Sequence, residues 1–177
     1  ITGCSAGSAG AAYWAADIMS HYPNERAVLL GDSGGGWRGI AESTWNLWGT
    51  NYYGATGRSL SIERFYINTA RSFGNIRVAQ YNTAHDDAQS FFQSVGFSGI
   101  GYPEALTQNL RDISRQAGSF RSFTQGGSTH CMIPYNDFYT YEVNGVRLRD
   151  WVADLAAGRD VANITCTNCD TATYVGQ

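Results

Sequence analysis

Short apolar runs alternate with helix-forming segments along this chain, and that alternation restricts the fold more than any other feature of the 177-residue sequence. Three apolar runs have the length of buried strands: residues 26–30, 76–81 and 120–124. Segments with small or apolar residues at helical spacing precede them: residues 6–21, 62–71 and 106–116. Strands that alternate with helices predict a mostly parallel sheet flanked by helices, an α/β fold.

The remaining segments add smaller elements. Asn144-Gly145 flanked by apolar residues predicts a hairpin over 141–148, and a closing helix is expected from Leu148 to Ala157, stopped by Gly158. Residues 37–60 are rich in Trp, Tyr and Gly, which predicts an excursion over the sheet. This excursion is either a small core under a long loop or an aromatic wall that faces substrate. No repeat or Pro-rich linker divides the chain, so residues 1–177 are interpreted as a single domain.

Charge and hydropathy exclude two classes of partner. The 12 basic residues are all Arg, they face 15 acids for a net charge of −3, and charged residues make up only 15% of the chain. A nucleic-acid-binding domain would present a basic patch, which this composition does not supply. No stretch approaches the roughly 18 to 20 apolar residues of a membrane span. We therefore expect neither nucleic acid nor a membrane span.

Four cysteines, Cys4, Cys131, Cys166 and Cys169, allow three full pairings, and the sequence does not choose among them. Cys166-x-x-Cys169 could be a local disulfide, a redox pair or half of a zinc site. The disulfide is favoured, because no second Cys or His pair lies at zinc-site spacing. Disulfides, low charge and the absence of Lys together predict a secreted or periplasmic protein.

Gly3-Cys4-Ser5-Ala6-Gly7 matches the G-x-S-x-G nucleophile elbow, a tight strand-to-helix turn that exposes a strained serine. Its context fits, because an Ile-Thr remnant of a strand precedes the motif and the helix predicted at 6–21 follows it. The N-terminus of that helix directs free N–H groups at the site. We therefore predict Ser5 as a nucleophile and the Ala6 N–H as an oxyanion donor.

A serine nucleophile needs a histidine to accept its proton and an acid to orient that histidine. His85, Asp86 and Asp87 follow the strand at 76–81, and His130 follows the strand at 120–124. The acid and the histidine thus lie at the carboxyl ends of successive strands, where parallel α/β sheets place their sites. Their order, Ser then Asp then His, is that of α/β-hydrolases.

With these motifs the chain resembles the pectin acetylesterase and Notum family of secreted serine carboxylesterases, and its bacterial members especially. The resemblance spans most of residues 1–135. It is carried by four short motifs: Gly3-Cys4-Ser5-Ala6-Gly7-Ser8, Leu30-Gly31-Asp32-Ser33-Gly34, Ala84-His85-Asp86-Asp87-Ala88-Gln89 and Thr129-His130-Cys131. Two departures are evident, since His85 stands where relatives have an aromatic residue and the chain has far fewer cysteines than the plant and animal members.

The resemblance implies an α/β-hydrolase-like fold and hydrolysis of acetyl or short acyl esters, with no metal or other cofactor. It implies O-acetylated polysaccharide as substrate, but relatives also act on a protein-linked lipid ester, so the acyl acceptor is open. It assigns a triad of Ser5, Asp86 and His130, with Asp86 rather than Asp87 as the acid. Asp32 is expected to support the site without being the triad acid. Trp37 and His85 are expected to contact substrate.

The same resemblance predicts that several strands precede the elbow, whereas only four residues precede Ser5. We therefore expect this chain to be the C-terminal part of a longer protein. Its N-terminal segment would be a second chain from the same precursor, and would supply the second oxyanion N–H. The alternative function is that of a catalytically silent carbohydrate-binding or cell-surface protein on a hydrolase scaffold.

Overall fold

The computed structural model describes residues 1–39, 61–96 and 99–173. Its strands are β1 (Thr2–Cys4), β2 (Ala27–Asp32), β3 (Ile76–Thr83), β4 (Phe120–Gln125), β5 (Glu142–Val143), β6 (Val146–Arg147) and β7 (Ile164–Thr165). Five of them form a parallel sheet in the order β1-β2-β3-β4-β7, and β5 and β6 form a separate antiparallel hairpin. The predicted parallel sheet and the hairpin at Asn144-Gly145 are confirmed.

The helices are α1 (Ala6–His21), α2 (Ile62–Ser72), α3 (Asp87–Gly96), α4 (Tyr102–Gln116) and α5 (Leu148–Ala156), with a 3₁₀ turn at Asn136–Tyr139. The helices predicted at 6–21, 62–71 and 148–157 are present, with ends shifted by at most one residue. The helix predicted at 106–116 begins earlier, at Tyr102. Pro103 lies in its first turn, where the missing N–H of proline costs no helical hydrogen bond.

Apolar side chains pack on both faces of the sheet, because successive residues of a strand point to opposite sides. Leu29, Val78 and Phe120 pack on one face under α1, α2 and α4. The other face carries Leu30, Ala79 and Phe123, which pack with residues of α5 such as Trp151. A sheet covered on both faces is the usual setting of parallel strands, and it explains why these runs are apolar throughout.

Two elements were not predicted from the sequence. α3 follows Asp86 and carries exposed Phe91, Phe92 and Val95, so its apolar residues do not form one buried stripe. β7 has only two residues and adds to the sheet beside β4, after the helix that was expected to complete the chain. A two-residue strand has no readable periodicity, and its pairing is fixed by contacts with residues distant in sequence.

Residues 40–60, most of the predicted aromatic excursion, lie outside the described residues. In the described part of the chain no helix is both long enough and apolar enough to cross a membrane.

Candidate active site

The residues predicted to carry chemistry lie at the carboxyl ends of adjacent parallel strands. Ser5 follows β1 directly, and Asp32 is the last residue of β2. Asp86 lies three residues beyond β3, and His130 lies five residues beyond β4. The register pairs Cys4 with Asp32 and Asp32 with Tyr81, so β1 and β2 end level with each other and β3 extends two residues further.

Ser5 adopts φ 56° and ψ −121°, a conformation that L-residues other than glycine rarely adopt. Its N–H donates to the carbonyl of Asp32 at 2.9 Å, which ties the turn to β2. The turn is tight, because a Cβ on Gly3 would collide with the backbone carbonyl of Gly7 in α1. Strained serines of this kind cost about 1 to 3 kcal/mol and persist where the surroundings impose them, as at functional sites.

The N-terminus of α1 opens to solvent beside this serine. Ser5 is half-buried, and Ala6 and Gly7 are exposed. The first N–H groups of a helix have no partner within the helix, and they carry the positive end of its dipole. The Ala6 N–H, next to Ser5, is therefore available to an anionic oxygen that forms on a group bound to the serine.

His130 and Asp86 form a direct pair. His130 Nδ1 lies 2.9 Å from both Oδ1 and Oδ2 of Asp86, a carboxylate that is 0% exposed. An ionised carboxylate only accepts hydrogen bonds, so the proton of the neutral imidazole belongs on Nδ1. The tautomer leaves Nε2 unprotonated and able to accept a proton. The hydrogen bond to Asp86 raises the pKa of His130, partial burial opposes this, and the charges of Asp86 and Asp32 add to the rise.

Asp86 is the N-cap of α3. Its Oδ1 accepts from the backbone N–H of Gln89 at 2.9 Å, and its Oδ2 accepts from Gln89 Nε2 at 2.9 Å. Asp87, by contrast, is exposed, and its backbone N–H donates to the carbonyl of Ser128 at 3.1 Å, in the loop before His130. Of the two adjacent acids, Asp86 therefore contacts the histidine.

Gln89 links the acid to its surroundings. The fully buried side chain also accepts from the backbone N–H of Gly36 at 2.9 Å, and its Nε2 lies 3.2 Å from the hydroxyl of Tyr102. That hydroxyl in turn donates to the carbonyl of Thr83, at the end of β3, at 2.6 Å. In the sequence Gln89 is only the last residue of the Ala84–Gln89 motif. The role of its side chain follows from these contacts.

Asp32 holds the segment that follows His130. Its Oδ2 accepts from the backbone N–H groups of Met132 and Ile133, each at 2.8 Å. Ser33 Oγ donates to Asp32 Oδ1 at 2.9 Å and accepts from the N–H of Cys131 at 3.0 Å. The pKa of Asp32 is raised, because the effect of burial outweighs the hydrogen bonds to this carboxylate and the nearby His130, which lower it. Asp32 thus contacts the backbone next to the histidine, not the imidazole Nδ1.

The structure contains two disulfides, Cys4–Cys131 and Cys166–Cys169. The local pairing favoured for Cys166 and Cys169 is confirmed.

Within the described residues, the potential metal-ligand atoms of Cys4, Cys131 and His130 lie within 4.8 Å of one another. Zinc and similar metals bind cysteine as the thiolate, so the disulfide between Cys4 and Cys131 removes two of these three ligands.

The substrate contacts expected of Trp37 and His85 stay predictions, and the structure shows what else these side chains contact. Trp37 is only 6% exposed and belongs to the core cluster, with its ring edge-to-face against Phe92 at 6.4 Å between centroids. His85 is exposed, and its Nε2 lies 3.4 Å from Asp170 Oδ1. The structure thus packs Trp37 in the core and places His85 in contact with Asp170 at the surface.

In this site a strained serine at a helix N-terminus lies on the same sheet edge as a histidine whose free nitrogen can accept a proton. Such a set of groups can activate a hydroxyl and stabilise an oxyanion, which are the requirements of acyl transfer.

No protein-family model matches the chain, and no curated protein matches it. The function is therefore inferred from the residues and their geometry.

Proposed function

We propose that this protein is a serine carboxylesterase that removes acetyl or other short acyl groups through an acyl-enzyme. The observation that carries the proposal is the Asp86–His130 pair at 2.9 Å, which lies at the same end of the sheet as Ser5 in its strained turn. The turn before α1 and the buried carboxylate are the features that an α/β-hydrolase site requires, and they support an α/β-hydrolase fold for the chain.

In the proposed reaction His130 Nε2 takes the proton of Ser5 Oγ as that oxygen attacks the ester carbonyl. The negative charge develops on the carbonyl oxygen, which the Ala6 N–H stabilises. His130 then gives the proton to the leaving alkoxide, and the acyl group remains on Ser5. A water molecule repeats the sequence, so the products are a carboxylic acid and free Ser5. Asp86 keeps the Nδ1 proton in place throughout.

For the substrate we propose an O-acetylated polysaccharide, on the basis of the family resemblance. Secretion or a periplasmic location fits this substrate, and the two disulfides are compatible with an oxidising compartment. The assay that tests the substrate compares acetate release from acetylated glycans with fatty-acid release from lipid esters. Release of fatty acid in preference to acetate would overturn the proposed substrate class and leave the esterase mechanism intact.

The esterase proposal is tested with p-nitrophenyl acetate and a fluorophosphonate probe. We expect wild type to release p-nitrophenolate and to incorporate the probe at Ser5, and Ser5→Ala to lose both. Ser20→Ala is the matched control, because Ser20 is an exposed serine at the far end of α1. Equal rates for wild type and Ser5→Ala would refute the proposal. They would favour the silent carbohydrate-binding alternative, which binding of glycans without turnover would then support.

A further inference from the structure

The Cys4–Cys131 disulfide joins the two triad loops at the residues that flank the reacting side chains. Cys4 immediately precedes Ser5 and Cys131 immediately follows His130, with Cα atoms 5.7 Å apart across a sequence separation of 127. We propose that this disulfide is a positioning element that sets His130 against Ser5. The proposal rests on the esterase function, and it assigns Cys4 and Cys131 a role in turnover beyond the stability of the fold.

Hydrogen bonds to Asp32 and Ser33 already hold the segment that follows His130, and the disulfide adds a covalent link to them. His130 lies on the loop beyond β4, and the residues before it, Ser128 and Thr129, are exposed. The loop is tied before the histidine by Thr83 Oγ1, which donates to the carbonyl of Thr129 at 2.8 Å. These contacts and the Asp86 pair connect the histidine to β3 and α3. The disulfide connects it to the β1–α1 turn, which carries the nucleophile.

Both ends of the disulfide lie at turns with unfavourable backbone geometry. Cys131 has φ 63°, and Ser5, next to Cys4, has φ 56°. Residues other than glycine hold such angles only where surrounding contacts impose them. At Cys131 the turn directs the following N–H groups of Met132 and Ile133 toward Asp32. A covalent bond between the two turns prevents each of them from relaxing away from the other.

The second disulfide provides an internal control. Cys166 and Cys169 are three residues apart, so their bond closes a small local loop and joins no separate parts of the sheet. The same segment contacts the His130 loop through the carbonyl of Cys169, which accepts from the Gly127 N–H at 2.9 Å. That contact is made by the backbone and does not require the sulfur.

The test compares the double variant Cys4→Ala/Cys131→Ala with the control Cys166→Ala/Cys169→Ala. For the first variant we expect kcat for p-nitrophenyl acetate to fall about 10- to 100-fold with KM changed less than about twofold, because a displacement near 1 Å costs this much in a positioned reaction. We also expect fluorophosphonate labelling of Ser5 to slow by a similar factor. The control variant should keep kcat within about twofold of wild type. A retained kcat in the first variant, or an equal loss in both, would overturn the proposal.

Loss of a disulfide can also unfold a protein, so reduction of wild type gives a second measurement. A water-soluble phosphine is titrated under native conditions, with thiol alkylation to identify the reduced bond and circular dichroism to follow the fold. A chelator is included, since reduction frees two thiols beside His130. We expect activity to fall as Cys4 and Cys131 become alkylated, before the dichroism signal changes. Activity that persists until the fold is lost would overturn the proposal.

Failure of this inference is distinct from failure of the esterase proposal. Wild type and Ser5→Ala are assayed first, and equal rates there refute the esterase function whatever the cysteines do. An active wild type with an equally active Cys4→Ala/Cys131→Ala variant refutes only the positioning role. The pKa of His130, followed by NMR, provides a readout that does not depend on turnover. In the Cys4→Ala/Cys131→Ala variant it should remain raised, because the contact with Asp86 does not depend on the disulfide. A return to the usual value would show that the Asp86 contact was lost instead, and would overturn the proposal.

Discussion

The Oδ1 atom of Asp86 accepts a hydrogen bond of 2.9 Å from the backbone N–H of Gln89, so the carboxylate that contacts His130 also caps the helix that follows it. An N-cap side chain is fixed by the first turn of its helix and lies at the positive end of the helix dipole. The acid is therefore oriented by local structure, and the histidine is oriented by the acid.

We expect Asp86→Asn to lower kcat about 10⁴-fold, because asparagine favours the wrong imidazole tautomer. The matched control is Asp87→Asn, at the exposed neighbouring acid, which should change kcat by less than about threefold. Both rates are measured with p-nitrophenyl acetate, and circular dichroism checks that each variant is folded. A larger loss for Asp87→Asn would show that the wrong acid was assigned.

Gln89→Leu should lower both activity and stability. The change leaves the buried Gly36 N–H without its acceptor, at a cost of about 1 to 3 kcal/mol, and removes the side-chain donor to Asp86 Oδ2. For a chain of this size that loss of stability corresponds to a fall of roughly 2 to 12 °C in Tm. Gln108→Leu on α4 is the control, since its side chain contacts Glu104 in an exposed pair, and it should shift Tm by less than about 2 °C. Equal melting temperatures for the two variants would contradict the assignment.

The activity should depend on pH through His130. The hydrogen bond to Asp86 raises the pKa of this imidazole above its usual value of about 6.5, and only the neutral form accepts the serine proton. The acid limb of kcat/KM should therefore have its midpoint above about 6.5. The pH dependence of stability has the opposite sign to that of activity. Because the pKa of His130 is higher in the folded than in the unfolded state, the group stabilises the fold below its unfolded-state pKa. This stabilisation is lost as the pH rises through the folded-state pKa. An acid limb at or below the usual imidazole pKa would contradict the observed pairing.

Glycine at position 3 should be essential, whereas glycine at position 10 should not. A Cβ at Gly3 would meet the backbone of Gly7, so Gly3→Ala must displace the β1–α1 turn and should abolish labelling of Ser5 by the fluorophosphonate probe. At Gly10, inside α1, a Cβ meets nothing within 4 Å. Gly10→Ala should therefore raise stability by up to about 1 kcal/mol, measured by urea unfolding, and leave activity unchanged. Normal labelling of Gly3→Ala would show that the turn is looser than described.

Sequence patterns predicted the elements that are long and periodic. The strands at 26–30, 76–81 and 120–124 correspond to β2, β3 and β4, because strands buried on both faces must be apolar along their length. The placement of Ser5, Asp86 and His130 after three strands of one sheet could also be inferred, since parallel strands end at the same edge of a sheet. Elements held by distant partners, such as β7, leave no local signal.

The side-chain partners depended on contacts that the sequence does not record. Trp37, for example, packs edge-to-face against Phe92 of α3, and no local pattern in the sequence indicates that contact. The sequence likewise allowed three cysteine pairings, and only the approach of the β1–α1 turn to the His130 loop selected Cys4–Cys131. The sequence by itself determined the order of strands, helices and reactive groups, since these follow from local periodicity and motif spacing. Tertiary structure decided which cysteines pair and which loops they join, since the partners lie far apart in the chain and must come within a few ångströms of each other.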